Sequence, residues 1–339
     1  MTDRIVACEP EEVPRFARNA INLASAGLGA CGLSATDEFF APLERMLADG
    51  PAIFYPDLYD DNGKWMDGWE TRRRRGGGHD HATIALAAPC RIDGFNVDTS
   101  HFTGNNAPAC RIEGWRGTGA PDEATEWSEI LPVHELDPDS HNFLACADDN
   151  LWTHLRIHIY PDGGIARLRV YGTPEIDAPT GTELDLVAAL NGGRIVAFSD
   201  AHYGSFARML APGRGLNMGD GWETKRRRGP GHDWIVVALG GRGTIERVVV
   251  DTAHFKGNYP DSCSIQVADV QGFAEETRDA VEATSANWDM LMEQQKLSAD
   301  AVHEFDPDVV ADRGPVTHIR LNIFPDGGIS RLRLFGRLA

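Results

Sequence analysis

The chain has 339 residues, 42% of them hydrophobic, and a formal net charge of −19. That apolar content is enough for two separate cores; the negative charge repels a phosphate backbone, and no apolar run reaches the length of a bilayer span, so neither a nucleic-acid nor a membrane partner is expected. No apolar segment follows a basic start, and the six cysteines show no C-x-x-C spacing, which points to a cytoplasmic protein with reduced, mostly buried thiols.

Short peripheral helices are expected at residues 11–25 and 37–48. Asp67 then opens Asp-Gly-Trp-Glu-Thr, followed by four arginines, Arg72 to Arg75. In an extended segment alternate residues face opposite sides, so one pair can hold an anion while the other meets carboxylates. Gly76 to Gly78 is no phosphate loop, since no Lys-Ser or Lys-Thr follows it. His79-Asp80 comes next, then short apolar strands, then Asp-Thr-x-His-Phe-x-Gly-Asn from Asp98 to Asn105. From His154 the chain alternates polar and apolar residues, turns through Pro161-Asp-Gly-Gly and alternates again, the pattern of a β-hairpin. Residues 173–185 hold two prolines and little apolar content and read as a linker.

The second half repeats the first. Residues 67–114 and 220–267 align without a gap and share 24 of 48 residues, and His154 to Gly172 matches His318 to Gly336 at 12 of 19. Such internal duplication sets the architecture before any local reading does. Swaps such as Leu155 for Ile319, Tyr160 for Phe324 and Val170 for Leu334 preserve volume, as core positions require. Two domains are expected, 1–178 and 179–339, with further helices at 200–210 and 274–290. Many short strands without a βαβ rhythm predict an all-β chain of two tandem jelly-roll-like antiparallel β-sandwiches with peripheral short helices. A two-domain parallel α/β arrangement is the runner-up.

Eight of the twelve histidines fall in matched pairs, including His79 with His232 and His101 with His254. Imidazole suits proton transfer near neutral pH. The paired strings Asp-Gly-Trp-Glu-Thr with its basic run, Gly-His-Asp and Asp-Thr-x-His-Phe-x-Gly-Asn resemble the allantoicase family, and the resemblance covers nearly the whole chain. It implies tandem jelly rolls and the hydrolysis of allantoate to ureidoglycolate and urea in purine catabolism; no cofactor and no metal ligand is assigned among the residues, and the sequence leaves a metal requirement open. The implied partner is this small-molecule substrate, and the sequence leaves a homo-oligomer open.

The residues suit such chemistry. Arg73, Arg75, Arg226 and Arg228 are candidates to hold the substrate carboxylate, and Asn105 and Asn258 offer amide groups that match a ureido group. Glu70 or Glu223 is the candidate base and His101 or His254 the candidate acid. His79, Asp80, His232 and Asp233 complete the catalytic set, with Asp80 and Asp98 placed in sequence to orient imidazoles. Trp69 and Trp222 read as core, and His134 and His303 as loop caps. A metal-dependent cupin-like enzyme is weakened by Trp234 and Asn322 standing where the first copy has His81 and His158. A non-catalytic ligand-binding jelly roll fits poorly with a repeated set of His, Asp, Glu and Arg.

Overall fold

One 19-residue strand organises each half of the chain, Asp80–Asp98 in the first and Asp233–Asp251 in the second. The computed structural model describes residues 3–10, 12–18, 20–179, 181–270 and 278–339. The first part of Asp80–Asp98 lies between Cys31–Ala35 and Trp152–Tyr160, and Trp152–Tyr160 continues to Ala109–Trp115 and then Ser128–Glu135. Its last part lies between His141–Ala145 and Arg167–Pro174, the latter reaching Ile21–Asn22. Between the two parts the register against Trp152–Tyr160 jumps from Ala85 to Cys90. This bulge runs through Pro89, which has no N–H to give a ladder, and it bends the strand from one layer into the other.

The second half repeats the plan. Its long strand meets Arg194–Phe198 and Val316–Phe324, with Ser262–Ala268 and Asp289–Lys296 beyond, and later Val302–Phe305 and Arg331–Leu338, with Leu184–Asp185 at the edge. The bend falls between Ala238 and Gly243. A Cβ at Gly240 would lie 1.6 Å from the Asn191 carbonyl oxygen, so this approach requires glycine. Among the described residues the strand ladders are antiparallel, with one isolated parallel bridge between Asn106 and Gly164, and each half is a jelly-roll-like β-sandwich of an all-β chain. The chain divides into two compact units, Met1–Glu175 and Ile176–Ala339.

Alternation decides which side chains form the cores. Leu155, Ile157 and Ile159 are fully buried between the layers with Ile84, Ile112 and Phe95, and Ile319, Leu321 and Ile323 do the same in the second unit. Burying one such side chain contributes about 1.5–3 kcal/mol. The swapped pairs Leu155/Ile319 and Val170/Leu334 are fully buried, as volume conservation implies. Tyr160 and Phe324 are instead half-buried, with ring centroids 4.5 Å from His79 and 4.6 Å from His232.

Several expected elements differ. The stretch from His154 forms no hairpin, because Trp152–Tyr160 and Arg167–Pro174 pair with opposite parts of the long strand and lie in different layers. Of residues 11–25, Glu11 and Asn19 lie outside the described residues; the rest holds one 3-10 turn, Arg15–Ala17, and the edge strand Ile21–Asn22. The Asn22 Oδ1 accepts the Val170 N–H at 3.0 Å, which ties this segment to the sheet. Pro42 confines helix in 37–48 to a 3-10 segment, Leu43–Leu47, and Phe206–Leu210 is its counterpart. In 274–290, residues 274–277 lie outside the described residues, Arg278–Ser285 is α-helical, and Asp289 begins a strand. Thr173 and Pro174 end a strand rather than open a linker.

Candidate active site

The repeated motifs meet at one end of each sandwich because the Pro-Asp-Gly-Gly turn binds them there. In the first unit the Asp80 N–H donates to the Pro161 carbonyl at 3.1 Å, the Thr71 N–H to Gly163 at 3.2 Å, and the Gly164 N–H to Asn105 at 2.8 Å. Gly163 has φ +130°, and a Cβ on it would lie 2.5 Å from the Asn106 carbonyl. In the second unit Asp233 donates to Pro325 at 3.1 Å, Thr224 to Gly327 at 3.0 Å and Gly328 to Asn258 at 2.8 Å. Four separated segments are thereby fixed around a single turn in each unit.

Glu70 and Asn105 come together in this frame. Trp69–Glu70 pairs with Gly164–Ile165, which directs the Glu70 side chain to the segment carrying Asn105. The Asn105 Nδ2 donates to Glu70 Oε1 at 2.7 Å, and Asn258 donates to Glu223 in the same way. Burial pushes the Glu70 carboxyl above the ordinary glutamate range, opposed by the Asn105 hydrogen bond and reinforced by the negative charge of Asp60. Glu223 is less buried, and the Met218 sulfur lies 3.8 Å from the Asn258 amide nitrogen.

The basic run alternates. Arg72 pairs with Asp37 at 2.6 Å and Arg74 with buried Asp80 at 2.8 Å, while Lys225 pairs with Asp200 at 3.4 Å and Arg227 with buried Asp233. Arg73, Arg75, Arg226 and Arg228 are exposed and pair with no carboxylate among the described residues. Each unit therefore presents two unneutralised guanidiniums beside its Glu–Asn pair in sequence. A guanidinium matches a carboxylate bidentately.

The imidazoles lie elsewhere than expected. His79 Nε2 is 2.8 Å from His158 Nδ1 on the outer face of the sheet, and His232 Nε2 is 3.2 Å from Asn322 Oδ1. Burial lowers the His232 pKa. Asp80 does not orient His79; it accepts from Arg74 and from Thr36 Oγ1 at 2.8 Å, because adjacent residues on a strand face opposite ways. Asp98 does not orient His101 either, since its Oδ1 accepts the Ser100 N–H and hydroxyl at 2.8 and 2.5 Å.

His101 and His254 have φ +68° and +72°, and their N–H groups donate at 2.7 Å to Asp139 and Asp300. Their Nε2 atoms face the Ala52 and Gly215 carbonyls at 3.3 and 2.7 Å, so Nε2 carries the proton there. No hydrogen bond joins them to Glu70 or Glu223 among the described residues. Trp69 and Trp222 are fully buried, and their Nε1–H groups donate to the Asp37 and Asp200 carbonyls at 2.9 and 2.8 Å.

Sequence reasoning missed the residues that hold the basic run. Asp162 Oδ2 accepts the Arg74 N–H at 2.7 Å and Asp326 Oδ2 the Arg227 N–H at 2.9 Å. Asp37 Oδ1 accepts the Arg72 N–H at 3.0 Å and Asp200 Oδ2 the Lys225 N–H at 2.8 Å. The signal was present, since both aspartates recur in the second copy, inside Pro-Asp-Gly-Gly and at the start of the matched 37–48 and 200–210 segments.

No group of three or more His, Cys, Asp or Glu side chains able to hold a metal occurs among the described residues. The allantoicase repeat model matches residues 21–175 and 184–339. A probable allantoicase of Rhizobium meliloti is 61% identical, covering 97% of each chain, and a probable allantoicase of Burkholderia mallei is 54% identical, covering 96% of each. Among solved structures, allantoicase of Saccharomyces cerevisiae superposes with a TM-score of 0.76 at 33% identity, covering 94% of this chain and 93% of that one. A second solved allantoicase gives 0.79 at 32% identity, with the same coverage. Two repeats with the same four-segment frame, together with this agreement over nearly the full length, place the chain in the allantoicase family.

Proposed function

We propose that this chain hydrolyses allantoate to ureidoglycolate and urea in purine catabolism. The observation that carries the reading is the repeated hydrogen-bonded Glu–Asn pair, followed in sequence by two unneutralised arginines, in a chain of the allantoicase family. Arg73 and Arg75, or Arg226 and Arg228, hold the substrate carboxylate. The Asn105 and Asn258 carbonyl oxygens remain able to accept from a ureido N–H while their amides hold the glutamates.

In the reaction a water oxygen bonds to the central carbon, the bond from that carbon to one ureido nitrogen breaks, and the nitrogen takes a proton to leave as urea. Glu70 or Glu223 removes the water proton. The lifted pKa of Glu70 brings it nearer the working pH, where a proton-transfer group is most effective. Asp80 and Asp233 fix the basic run through Arg74 and Arg227, and His101 and His254 shape the neighbouring loop, their Nε2 protons being directed to carbonyls. His79 and His232, whose Nδ1 atoms make no hydrogen bond among the described residues, serve the acid step.

The same proposal makes each repeat a domain, with the boundary near residue 178, and the protein a cytoplasmic enzyme whose partner is a small molecule rather than nucleic acid. No helix among the described residues is long and apolar enough to cross a membrane. Urea release on adding allantoate to the purified protein tests the activity directly. A pure, folded protein that releases no urea would overturn it.

A further inference from the structure

Besides His79, the outer face of the first unit carries ionisable groups that the site above does not use. His79 and His81 lie on one face of the long strand, and His81 pairs across the ladder with His158, which brings all three imidazoles together. His158 Nδ1 lies 2.8 Å from His79 Nε2, and His158 Nε2 lies 2.8 Å from Glu113 Oε2. Arg111 binds Glu113 at 2.9 Å and reaches Glu129 at 3.5 Å, while Arg156 lies 3.9 Å from Glu113. The Tyr160 ring lies against His79, tilted by 41°.

Hydrogen-bond chemistry orders the protons along this chain. A carboxylate only accepts, so His158 Nε2 carries a proton towards Glu113 and its Nδ1 is the acceptor. His79 must then donate from Nε2, which leaves its Nδ1 with a free lone pair. The Arg111 guanidinium, 3.4 Å from His158 Nε2, is too distant to compete with the 2.8 Å bond to Glu113.

The second unit replaces this chain with neutral amides. His232 donates to Asn322 Oδ1, which also accepts from Arg320 at 2.8 Å, and the Asn322 amide donates to Ser264 and Gln266 at 3.2 and 3.0 Å. The helix Arg278–Ser285 lies over this face, with Val281 packed against Val236 and Ala197 and Ser285 accepting from Arg320 at 2.7 Å. Asn322 and Gln266 stand where the first unit has His158 and Glu113. Both units hold the first imidazole in the same tautomer, but only one offers a second group that takes up a proton.

We propose that His158 and Glu113 are positioning residues for proton transfer at His79 Nδ1, which makes the first repeat's imidazole the stronger proton acceptor of the two. A proton taken at His79 Nδ1 lets the Nε2 proton shift towards His158 Nδ1, and the Glu113 carboxylate beyond His158 offsets the positive charge that the pair then shares. The reverse transfer passes the proton that His79 Nδ1 took from solvent to the departing ureido nitrogen, and the water proton held by Glu70 goes to solvent, so none is gained or lost over the cycle. In the second unit Asn322 accepts a hydrogen bond but no proton, and the neighbouring charge is the Arg320 cation. Burial keeps His158 neutral at rest, down to about 4, against the pull of Glu113.

This inference rests on the allantoate reading, and its test separates the two. Glu113→Gln and His158→Asn install the residues that the second repeat already accommodates at the same register. With allantoate as substrate, each variant should lower kcat about tenfold or more, leave KM within about twofold, and move the alkaline limb of the kcat profile to lower pH, because the His79 imidazolium loses its support. In the parent, nitrogen-15 spectra of labelled histidine should show His79 protonated at Nε2 and bare at Nδ1, and its titration should move to lower pH in Glu113→Gln. Unchanged kcat and pH limb in both variants, or a proton on Nδ1, would overturn the proposal. A parent that shows the expected tautomer and titration shift yet releases no urea upholds the coupling and overturns the allantoate reading.

Discussion

The ends of the two sandwiches agree almost bond for bond, while their outer sheet faces have parted company. At the ends, Glu–Asn, Arg–Asp and backbone–Asp contacts recur as pairs: Glu70 with Glu223, Asp80 with Asp233, Asp162 with Asp326. On the outer faces, His158, Glu113 and Arg111 of one unit correspond in register to Asn322, Gln266 and Ser264 of the other. The difference teaches where exchange is tolerated. A neutral amide network and an ionised one fit the same strand spacing, because either satisfies the polar groups on that face, whereas the end frame uses each donor and acceptor on a specific backbone atom.

The comparison breaks most sharply at the glutamates. Replacing Glu70 and Glu223 together by Gln should reduce turnover by about 10²-fold or more, read as urea release. The single variants then sharpen it: equal losses assign chemistry to both ends, and a loss confined to Glu70→Gln assigns it to the first. Turnover within a few-fold of the parent in the double variant would remove the glutamates from the reaction.

Asp80→Ala should cost about 1–3 kcal/mol of stability, below the about 3–5 expected for a fully buried pair because Arg74 reaches solvent. Guanidinium unfolding midpoints measure this, and Asp233→Ala should give a matching loss if the two frames are equivalent. For Arg73→Ala with Arg75→Ala, we expect KM to rise about tenfold with kcat little changed, the loss of roughly 1.5 kcal/mol of charge-assisted binding. The pair Arg226→Ala and Arg228→Ala reveals whether the second end also holds substrate.

The smallest effect is in acid. Burial lowers His318 to about 4 in the fold, so it stays neutral there while the unfolded chain protonates near the usual histidine range. The unfolded state therefore binds more protons in between. Its stabilising contribution is complete above about pH 6.5 and fades as pH falls towards 4. The fall in melting temperature between pH 7 and pH 5 should be shallower in His318→Gln than in the parent; an identical slope would remove His318 from the acid response.

Much of this was legible in the chain itself. Duplication made the two units plain, alternation marked Leu155, Ile157 and Ile159 as core, and the extended basic run implied the split of Arg72 and Arg74 from Arg73 and Arg75. What escaped was long-range geometry. Residues 154–171 carry the local pattern of a hairpin, but nothing local records that the two strands pair with different parts of the same long strand. Likewise His79 and Asp80 are neighbours in sequence and diverge in space, since a strand sends successive side chains to opposite faces. Asp37 and Asp162 act through backbone N–H groups of the basic run, 35 and 88 residues away in the chain, a distance that spacing cannot reveal.

The long strand that threads both layers has a mechanical corollary. Neither layer of a unit can come apart without stripping hydrogen bonds from a segment that also anchors the other, so opening should be all-or-none within each half. Amide protons of Ile84 and of Val97, on opposite sides of the bend, should exchange with the same opening free energy although different neighbours protect them.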